Sequence, residues 1–469
     1  MPTRMHPRMI ALAGALALLA GAGCKDNPSA PSTDRVVAGS QQSLQTLFLG
    51  LVGSDRAAAG TESYYATADI WARDVIRPDP NEPRWLTEFY ETPPDPSGFG
   101  GVQWDPYYVA LRAAHSLLAD PSLTSLAPAS RAAASGFIRT LEAREYLNVV
   151  EYHDVNGAVI QGDNPSTLYP IRTKQAVLTY VSALLDSANA DFTAAGDIAV
   201  PFAVPGGYQT HGDYSLVSNL VLYNRGLKGK AEVYLTLLDA NAPDLTHAQA
   251  AATALNAALA GGTASAAYLL QGPYYEFTPS APDLAPNPLV DAKLLLTSNF
   301  VNSINPADAR RANIVPTPSQ SAVGYTSAPA RLAITDPSNT ANLTTPLPIL
   351  RNAELYLLRA QAEIALGNLA AATADINVVH RVEGGLPAYG TFATPASAIQ
   401  ALLYEYRYSF VAQGPQHLVA LREYGVLNDA YISQPGIPTP GAGKDPLNQR
   451  NPIPNSEATA RGGNVTPQP

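Results

Sequence analysis

Aromatic side chains in two loop-rich parts of the chain are the first candidates for binding chemistry. They are Trp71, Trp85 and Trp104 in the first part, and Tyr274, Tyr275 and Tyr325 in the second. A flat aromatic ring can pack against the CH face of a neutral sugar, while nearby amide, carboxylate or guanidinium groups supply hydrogen bonds. Tryptophan and tyrosine also anchor loops to a protein core, so the sequence leaves both roles open for each of the six.

Residue patterns typical of catalytic and metal sites are missing from the sequence. The seven histidines stand at positions 6, 115, 153, 211, 247, 380 and 417, so no two are close enough for an HExxH-type pair. No GxGxxG, GxxxxGKS/T, GxSxG or SxxK pattern occurs. We therefore predict that the protein is not an enzyme, has no cofactor and no metal, and carries its histidines at the surface.

Acidic residues leave one catalytic alternative open. The turn-rich stretch around Asp154 and Asp163 does not have the spacing of an EF-hand and favours a hydrogen-bonded turn. Glu142, Glu145 and Glu151 lie at helical spacings, as surface charges on helices commonly do. A glycosidase needs only two carboxylates, which can come from distant positions, so this alternative survives the sequence.

The single cysteine, Cys24, follows a segment typical of a secretory signal. Two arginines precede an uncharged apolar run over 10–20, which is shorter than the roughly twenty residues that span a bilayer. Small residues then lead into Cys24 in a pattern similar to the bacterial lipobox, with Gly21 in place of the usual leucine. We predict that Cys24 is the lipid attachment site; the alternative is an incidental thiol in an ordinary signal peptide or uncleaved anchor.

These features divide the chain into three parts. Residues 1–23 are predicted to be a lipoprotein signal peptide, and the polar, Pro- and Ser-containing residues 24–34 a flexible tether. Residues 35–469 form the predicted folded part. Because Cys24 is the single cysteine, no disulfide can form within the chain, and the stability of the folded part must come from burial.

The composition favours neutral partners. Only 14% of the residues are charged and the net charge is -10, which argues against nucleic acid or an anionic membrane surface as a partner. Tyrosine is frequent, with 24 residues, and the 41 prolines and 34 glycines indicate long ordered loops. The most loop-rich regions are 76–104, 195–214, 268–350 and 433–469.

Between these loops the sequence predicts helices in pairs. Asp105 and Thr173 are predicted N-caps, and Thr246 with Gln249 has the pattern of a capping box. Residues 351–387 predict two helices, separated at Gly367-Asn368, whose small residues permit close packing. Such pairs must stack on neighbours to bury their apolar faces, so we predict a mainly α-helical, tetratricopeptide-like superhelix with a loop-rich decorated portion.

Three C-terminal motifs resemble those of the SusD/RagB family of outer-membrane nutrient-uptake lipoproteins. The first resembles the R-x-A-E-x-x-L-x-x-A-E-A pattern through Arg351, Ala353, Glu354, Tyr356, Leu357, Ala360, Ala362 and Glu363. The second, over 404–425, keeps Glu405, Arg407, Phe410, Gly414, Leu421, Arg422 and Gly425, but has His417 and Ala420 where the family has Arg and Asp. The third is the P-I-P-x-x-E pattern at Pro452, Ile453, Pro454 and Glu457.

The resemblance implies a SusD-like fold and a role without catalysis. Members of the family are surface-exposed, lipid-anchored proteins of the outer membrane that bind oligosaccharides, in some cases peptides, and deliver them to a SusC-like TonB-dependent transporter. The motif residues themselves look structural and do not locate the ligand. Two other functions remain open at this point, a helical-repeat scaffold lipoprotein that binds a protein partner and a surface glycosidase.

Overall fold

A computed structural model describes residues 41–60, 62–101, 103–162, 164, 167–281, 283–438, 447 and 450–469. The predicted signal peptide at 1–23, the lipid site Cys24 and the predicted tether at 24–34 lie outside the described residues and stay predictions. Within the described ranges, no helix is both long enough and apolar enough to cross a membrane.

Helices make up most of the described structure. The first group comprises α1 (Gln41–Ala59), α2 (Glu62–Trp71), α3 (Arg84–Tyr90), α4 (Asp105–Leu118), α5 (Pro121–Thr124), α6 (Pro128–His153), α7 (Lys174–Ala195), α8 (Val217–Thr236) and α9 (Leu245–Ala258). The second comprises α10 (Ala266–Leu269), α11 (Ser298–Ser303), α12 (Asn352–Ala365), α13 (Leu369–Val382), α14 (Pro395–Phe410), α15 (Gln416–Glu423), α16 (Asp429–Ile432) and α17 (Asn455–Ala460). Short 3₁₀ turns join several of them.

The longer helices stack in chain order. Helix α6 packs against α7, α7 against α8, and α8 against α9; α9 then packs against α12, which pairs with α13, and α13 with α14. Each pair covers the apolar face of the pair before it, which is the packing of a helical-repeat superhelix. The predicted mainly α-helical, tetratricopeptide-like fold is therefore confirmed.

The loop-rich portion is held by short antiparallel ribbons. The strands are β1 (Val75–Ile76), β2 (Ala158–Val159), β3 (Ile171–Arg172), β4 (Tyr274–Tyr275), β5 (Leu295–Leu296), β6 (Ile314–Pro316), β7 (Ser321–Ala322), β8 (Tyr325–Thr326), β9 (Ala330–Leu332) and β10 (Leu347–Pro348). They pair as β1 with β5, β2 with β3, β4 with β10, β6 with β9, and β7 with β8. The long 268–350 region is thus ordered by two-stranded pairs rather than by an extended sheet.

The predicted helix caps are partly right. Thr173 caps α7, because its hydroxyl accepts a hydrogen bond of 3.2 Å from the Ala176 backbone N–H. Asp105 is the first residue of α4 instead of its cap. The predicted capping box at Thr246 is wrong, since Asp244 caps α9 by accepting from the Thr246 N–H at 2.8 Å. Asp244, two residues before Thr246, supplies the acceptor instead.

Charged residues of the family-like motifs tie distant helices together inside the protein. Asp74 accepts from Arg407 Nε at 2.7 Å and lies 2.6 Å from His417 Nδ1. His417 therefore takes a buried charge-pairing position at the place where the family pattern has Arg. Together with His153 and His380 it is buried, so the predicted surface location is wrong for these three histidines.

The 451–468 segment closes the structure onto the middle of the chain. The Asn451 backbone N–H donates to the Tyr152 carbonyl at 2.8 Å, and Asn156 Nδ2 donates to the Asn451 carbonyl at 2.7 Å. Further on, Gln468 exchanges backbone hydrogen bonds of 2.8 Å with Ile171 and Thr173 beside β3. The third motif thus lies in a segment that fastens the end of α6 and the start of α7.

Candidate functional site

The three tryptophans lie in the core and have no open ring face. Trp71 is 0%, Trp85 3% and Trp104 1% exposed. Trp71 and Trp85 both pack on Phe89, with ring centroids 5.5 and 5.4 Å away, and Trp104 packs against Tyr108 at 5.0 Å. The 76–104 region was expected to be a loop, but it contains the short helix α3. The contacts of Trp71 and Trp85 with Phe89 hold this helix in place.

Two of the three predicted tyrosines also use their polar ends inside the protein. The Tyr275 hydroxyl donates to Asp55 Oδ1 at 2.9 Å and contacts Arg144. The Tyr325 hydroxyl donates to Glu91 Oε1 at 3.2 Å, and its ring stacks on Tyr90 at 5.3 Å. These contacts are those of residues that anchor loops.

Tyr274 is different, because it lines a large cavity of the described structure. This cavity, which we call the main cavity, has a volume of about 530 Å³. That value lies within the range of about 300–1,000 Å³ typical of small-molecule sites. The Tyr274 hydroxyl donates to the Leu270 carbonyl at 2.8 Å, and its ring lies 4.5 Å from the ring of His211.

The main cavity lies where the helical superhelix meets the loop-rich portion. Its walls come from α10 and β4, from the 300–334 region, from β10 and the start of α12, and from the ends of α13 and α14. Most lining side chains are apolar, among them Leu270, Phe300, Ile304 and Leu332. Leu270 is 41% exposed, which places it at the mouth.

The first charged group of the main cavity, Arg310, is fully paired. Its guanidinium donates to Asp308 at 2.9 and 2.6 Å, and to Glu405 Oε2 and Ser409 Oγ at 2.7 Å each. The fully buried Glu405 also lies 2.7 Å from His380 Nδ1. Arg310 therefore reaches the cavity paired with two carboxylates and not as a free cation.

The second charged group, Arg351, is paired in the same manner. Its Nε donates to Gln413 Oε1 at 2.8 Å, one terminal nitrogen donates to the Ser409 carbonyl at 2.8 Å, and another forms an ion pair with Glu383. Burial acts to raise the pKa of Glu383, but the attraction of Arg351 outweighs it and leaves the pKa below its usual value. Both guanidinium groups at the wall of the main cavity are thus paired with carboxylates.

Sequence reasoning missed most of this cavity. Arg351 was recognised as a motif residue with a structural role, and that role is real, yet it also lines the cavity. Leu270, Arg310 and Gln413 gave no signal, because nothing in their local sequence distinguishes them from ordinary loop and helix residues. Of the six predicted aromatic residues, the structure brings only Tyr274 to this cavity.

The acidic residues considered for glycoside hydrolysis lie on α6 and do not line the main cavity. Glu142 lies 2.9 Å from His115 Nε2, and Glu151 lies 2.5 Å from Lys230 Nζ. Burial raises the pKa of Glu145 well above its ordinary value. Within the described residues, no cluster of three or more His, Cys, Asp or Glu side chains has the arrangement of a metal site.

Comparison with solved structures identifies the fold. A SusD homolog from Bacteroides thetaiotaomicron superposes with a TM-score of 0.68 at 14% identity, covering 90% of this chain and 96% of that one. A SusD-like carbohydrate binding protein from Bacteroides vulgatus gives 0.65 at 13% identity, with 92% and 99% covered. Surface glycan-binding protein A from Bacteroides thetaiotaomicron gives 0.66 at 12% identity, with 90% and 97% covered.

The sequence differs widely from those of the three solved structures that share its fold. No protein-family model matches the chain, and no curated protein matches it. At identities of 12–14% the likeness establishes the fold and leaves the ligand to be argued from the site. This likeness in fold agrees with the three C-terminal motifs and with the stacked helix pairs. The chain therefore has the SusD-like fold that its motifs predict.

Proposed function

We propose that this protein binds a neutral nutrient oligomer in the main cavity, without chemically changing it, and delivers it to a TonB-dependent outer-membrane transporter. The observation that carries the proposal is the main cavity itself, with its volume of about 530 Å³ and its internally paired charges. The ligand we favour is an oligosaccharide, and a peptide is the alternative. Two solved neighbours with this fold are named for binding carbohydrate or glycan, which supports that order.

The lining chemistry supports a neutral ligand. Both guanidinium groups, those of Arg310 and Arg351, already have carboxylate partners, so an anionic ligand would have to break buried pairs. The apolar walls suit the CH faces of a sugar or the side chains of a peptide, while Asn313 and Gln413 offer amide groups. Of the six aromatic residues predicted to bind a ligand, Tyr274 is the one that lines this cavity.

Binding can be tested by narrowing the mouth of the main cavity. We expect Leu270→Trp to weaken binding of the best ligand by at least about tenfold, because the larger side chain occupies the space that the ligand needs. Leu245→Trp is the matched control, since Leu245 is 56% exposed at the start of α9 and lines neither this cavity nor its neighbour. The measurement is calorimetry with a panel of neutral oligosaccharides and of short peptides.

The panel separates the alternatives. Preference for a peptide over every oligosaccharide would replace the favoured ligand class. Binding that is unchanged in Leu270→Trp would move the site away from the main cavity and return attention to the regions around Trp71, Trp85 and Trp104. Release of shorter products from an oligosaccharide would favour a glycosidase, and a stable protein partner without any small ligand would favour a scaffold.

The anchor and the partner form the second half of the proposal. It assigns the lipid to Cys24, the location to the outer membrane facing the cell surface, and the partnership to a SusC-like transporter. Replacing Cys24 by Ser should release the protein from the outer-membrane fraction and change its mass. Purification of the tagged protein in mild detergent should recover a large β-barrel transporter, and recovery of the protein alone at native expression would contradict the partnership.

A further inference from the structure

A second cavity lies next to the main one and has a different character. It has a volume of about 260 Å³ and is formed by α8, the end of α9, the 268–273 segment and the start of α12. We call it the side cavity. Arg351 lines both cavities, and the 270–274 segment with its partner 346–352 contributes to the walls of both. The two spaces therefore share one structural element.

A close backbone approach holds that shared element in place. Gly272 has a φ of +153°, and a Cβ atom on it would lie 1.8 Å from the Leu350 carbonyl oxygen. The Asn352 N–H donates to the Gln271 carbonyl at 3.0 Å, and the Ile349 N–H donates to the Pro273 carbonyl at 2.9 Å. Because only glycine permits this approach, the position of the shared wall is fixed by the backbone.

Tyrosine rings form one wall of the side cavity. Tyr268 lies against the backbone of Gly262, where a Cβ atom would come within 1.9 Å of its ring, and its hydroxyl donates to the Leu259 carbonyl at 2.9 Å. Tyr214 is buried and packs edge-on against Tyr223 with ring centroids 6.3 Å apart. The rings are therefore held rigidly, as a stacking surface must be.

Amide side chains supply the polar groups. Asn352 is only 8% exposed and lines the side cavity. Asn219 donates through Nδ2 to the Asp213 carbonyl at 2.8 Å, which leaves its Oδ1 as an acceptor. Gln271 lies exposed at the edge. Each of these amides carries both donors and an acceptor, which suits the hydroxyl groups of a ligand.

Charge is balanced here as well. Arg351 is the one charged residue in the lining of the side cavity, and its guanidinium is paired with Glu383. A ligand that matches rigid tyrosine rings, amide donors and acceptors and no net charge is a neutral polyhydroxylated ring. The volume falls below the range of about 300–1,000 Å³ typical of drug-sized ligands, so it suits one such ring and not an oligomer.

We propose that the side cavity is a separate binding site for a single neutral sugar ring. Tyr214 and Tyr268 would pack against its CH groups, and Asn219 and Asn352 would bind its hydroxyls. For the class of ligand this inference rests on the proposed function, but the site is distinct from the main cavity. A sugar bound in each cavity would lie on either side of the wall that carries Arg351.

The test uses the folded chain with D-glucose, D-galactose, D-mannose and D-xylose as probes and glucuronate as the charged comparison. Binding is followed by saturation-transfer NMR and titration. We expect at least one neutral monosaccharide to bind with a dissociation constant of about 10 mM or tighter, and glucuronate to bind more weakly. Ala260→Trp should remove this binding, because Ala260 is an exposed residue of the lining and a large ring there fills the space.

Asn352→Leu is the second variant, and we expect it to weaken the same binding by at least about tenfold through loss of the hydroxyl contacts. If it fails to fold, Ala260→Trp still decides the matter, since Ala260 is at the surface. Leu245→Trp, at an exposed residue that lines neither cavity, is the matched control and should leave monosaccharide binding unchanged.

The outcomes separate this site from the proposed function. Absence of saturable binding for all four neutral sugars, or binding that Ala260→Trp leaves intact, would overturn the side-cavity site. Oligosaccharide binding that responds only to Leu270→Trp would leave the proposed function standing. Monosaccharide binding that responds to Ala260→Trp, without any oligomer binding in the main cavity, would support the side-cavity site and overturn the proposed function.

Discussion

Glu423 allows a sharp test of how burial and charge balance inside this fold. The residue ends α15, is 8% exposed, and its carboxylate lies 4.0 Å from Lys174 Nζ. That ammonium group is closer to Asp154, at 2.9 Å. Burial raises the pKa of Glu423 from 4.5 to about 7, because the attraction of Lys174 and Arg422 does not offset the cost of desolvation.

The size of the effect follows from this pKa. The folded chain holds a proton on Glu423 more tightly than the unfolded chain between pH 4.5 and 7. The free energy of unfolding therefore falls as the pH rises through that window. A pKa difference of about 2.5, at about 1.36 kcal/mol for each unit, corresponds to about 3 kcal/mol when the group is fully ionised.

We expect Glu423→Gln to raise the free energy of unfolding by about 3 kcal/mol at pH 8 and by less than about 1 kcal/mol at pH 5. The amide keeps the shape of the side chain and carries no charge at either pH. The assay is denaturant unfolding followed by tryptophan fluorescence at both pH values. Glu82→Gln is the control, because Glu82 pairs with the exposed Arg84 and should change stability by about 1 kcal/mol or less.

Two results would refute this reasoning. If Glu423→Gln lowered the stability at pH 8, the attraction of Lys174 and Arg422 would exceed the cost of burial. If it raised the stability equally at pH 5 and pH 8, the gain would come from packing and not from removal of a buried charge.

Three further predictions follow from other buried residues. Glu405→Gln should lower the free energy of unfolding by about 3–5 kcal/mol in denaturant titrations, because Arg310 and His380 lose their shared carboxylate; a loss below about 1 kcal/mol would contradict this. Burial lowers the pKa of His153 to about 4, so the free energy of unfolding of the unmutated protein should fall by up to about 3 kcal/mol between pH 6.5 and pH 4. His153→Gln should reduce this pH dependence, as measured by thermal melts at both pH values. Gly272→Ala should cost at least about 3 kcal/mol in the same melts, and an unchanged midpoint would show that the wall shared by the two cavities can move.

The helical fold was predictable because its signals are local and repeated. Thr173 begins a helix as its side-chain chemistry predicts, and the break before Leu369 lies where Gly367-Asn368 predicts it. The error at Thr246 shows the limit of such signals. Asp244 and Thr246 both have side chains that can cap a helix, and in the structure Asp244 is the cap.

The role of the aromatic residues was harder to predict from sequence. A ring that binds a ligand and a ring that anchors a loop have the same composition and the same local surroundings. Proline and glycine around Trp85 suggested a loop, yet seven residues there form α3 through burial against Phe89 and its neighbours. Only the three-dimensional contacts reveal that Trp85 has no free face.

The main cavity could not be predicted as a site, because its residues come from separate parts of the chain. Leu270, Arg310, Arg351 and Gln413 meet only after the superhelix has brought the end of α14 beside the loop-rich portion. Each has an ordinary explanation in its own segment. Tyr274 was included among the candidates for its residue type alone, and the structure supplies the reason that sets it apart.

The segment that fastens α6 and α7 also bears on the order in which this protein can be completed. Asn451 bonds to Asn156, 295 positions earlier, and Gln468 bonds beside β3. A chain is synthesised from its amino end, so the seam between α6 and α7 stays uncovered until those late residues have been made. Contacts of such long range form slowly. Removal of 464–468 would therefore destabilise the middle of the protein, at β3. A newly made chain would expose the seam between α6 and α7 to chaperones until those residues have been synthesised.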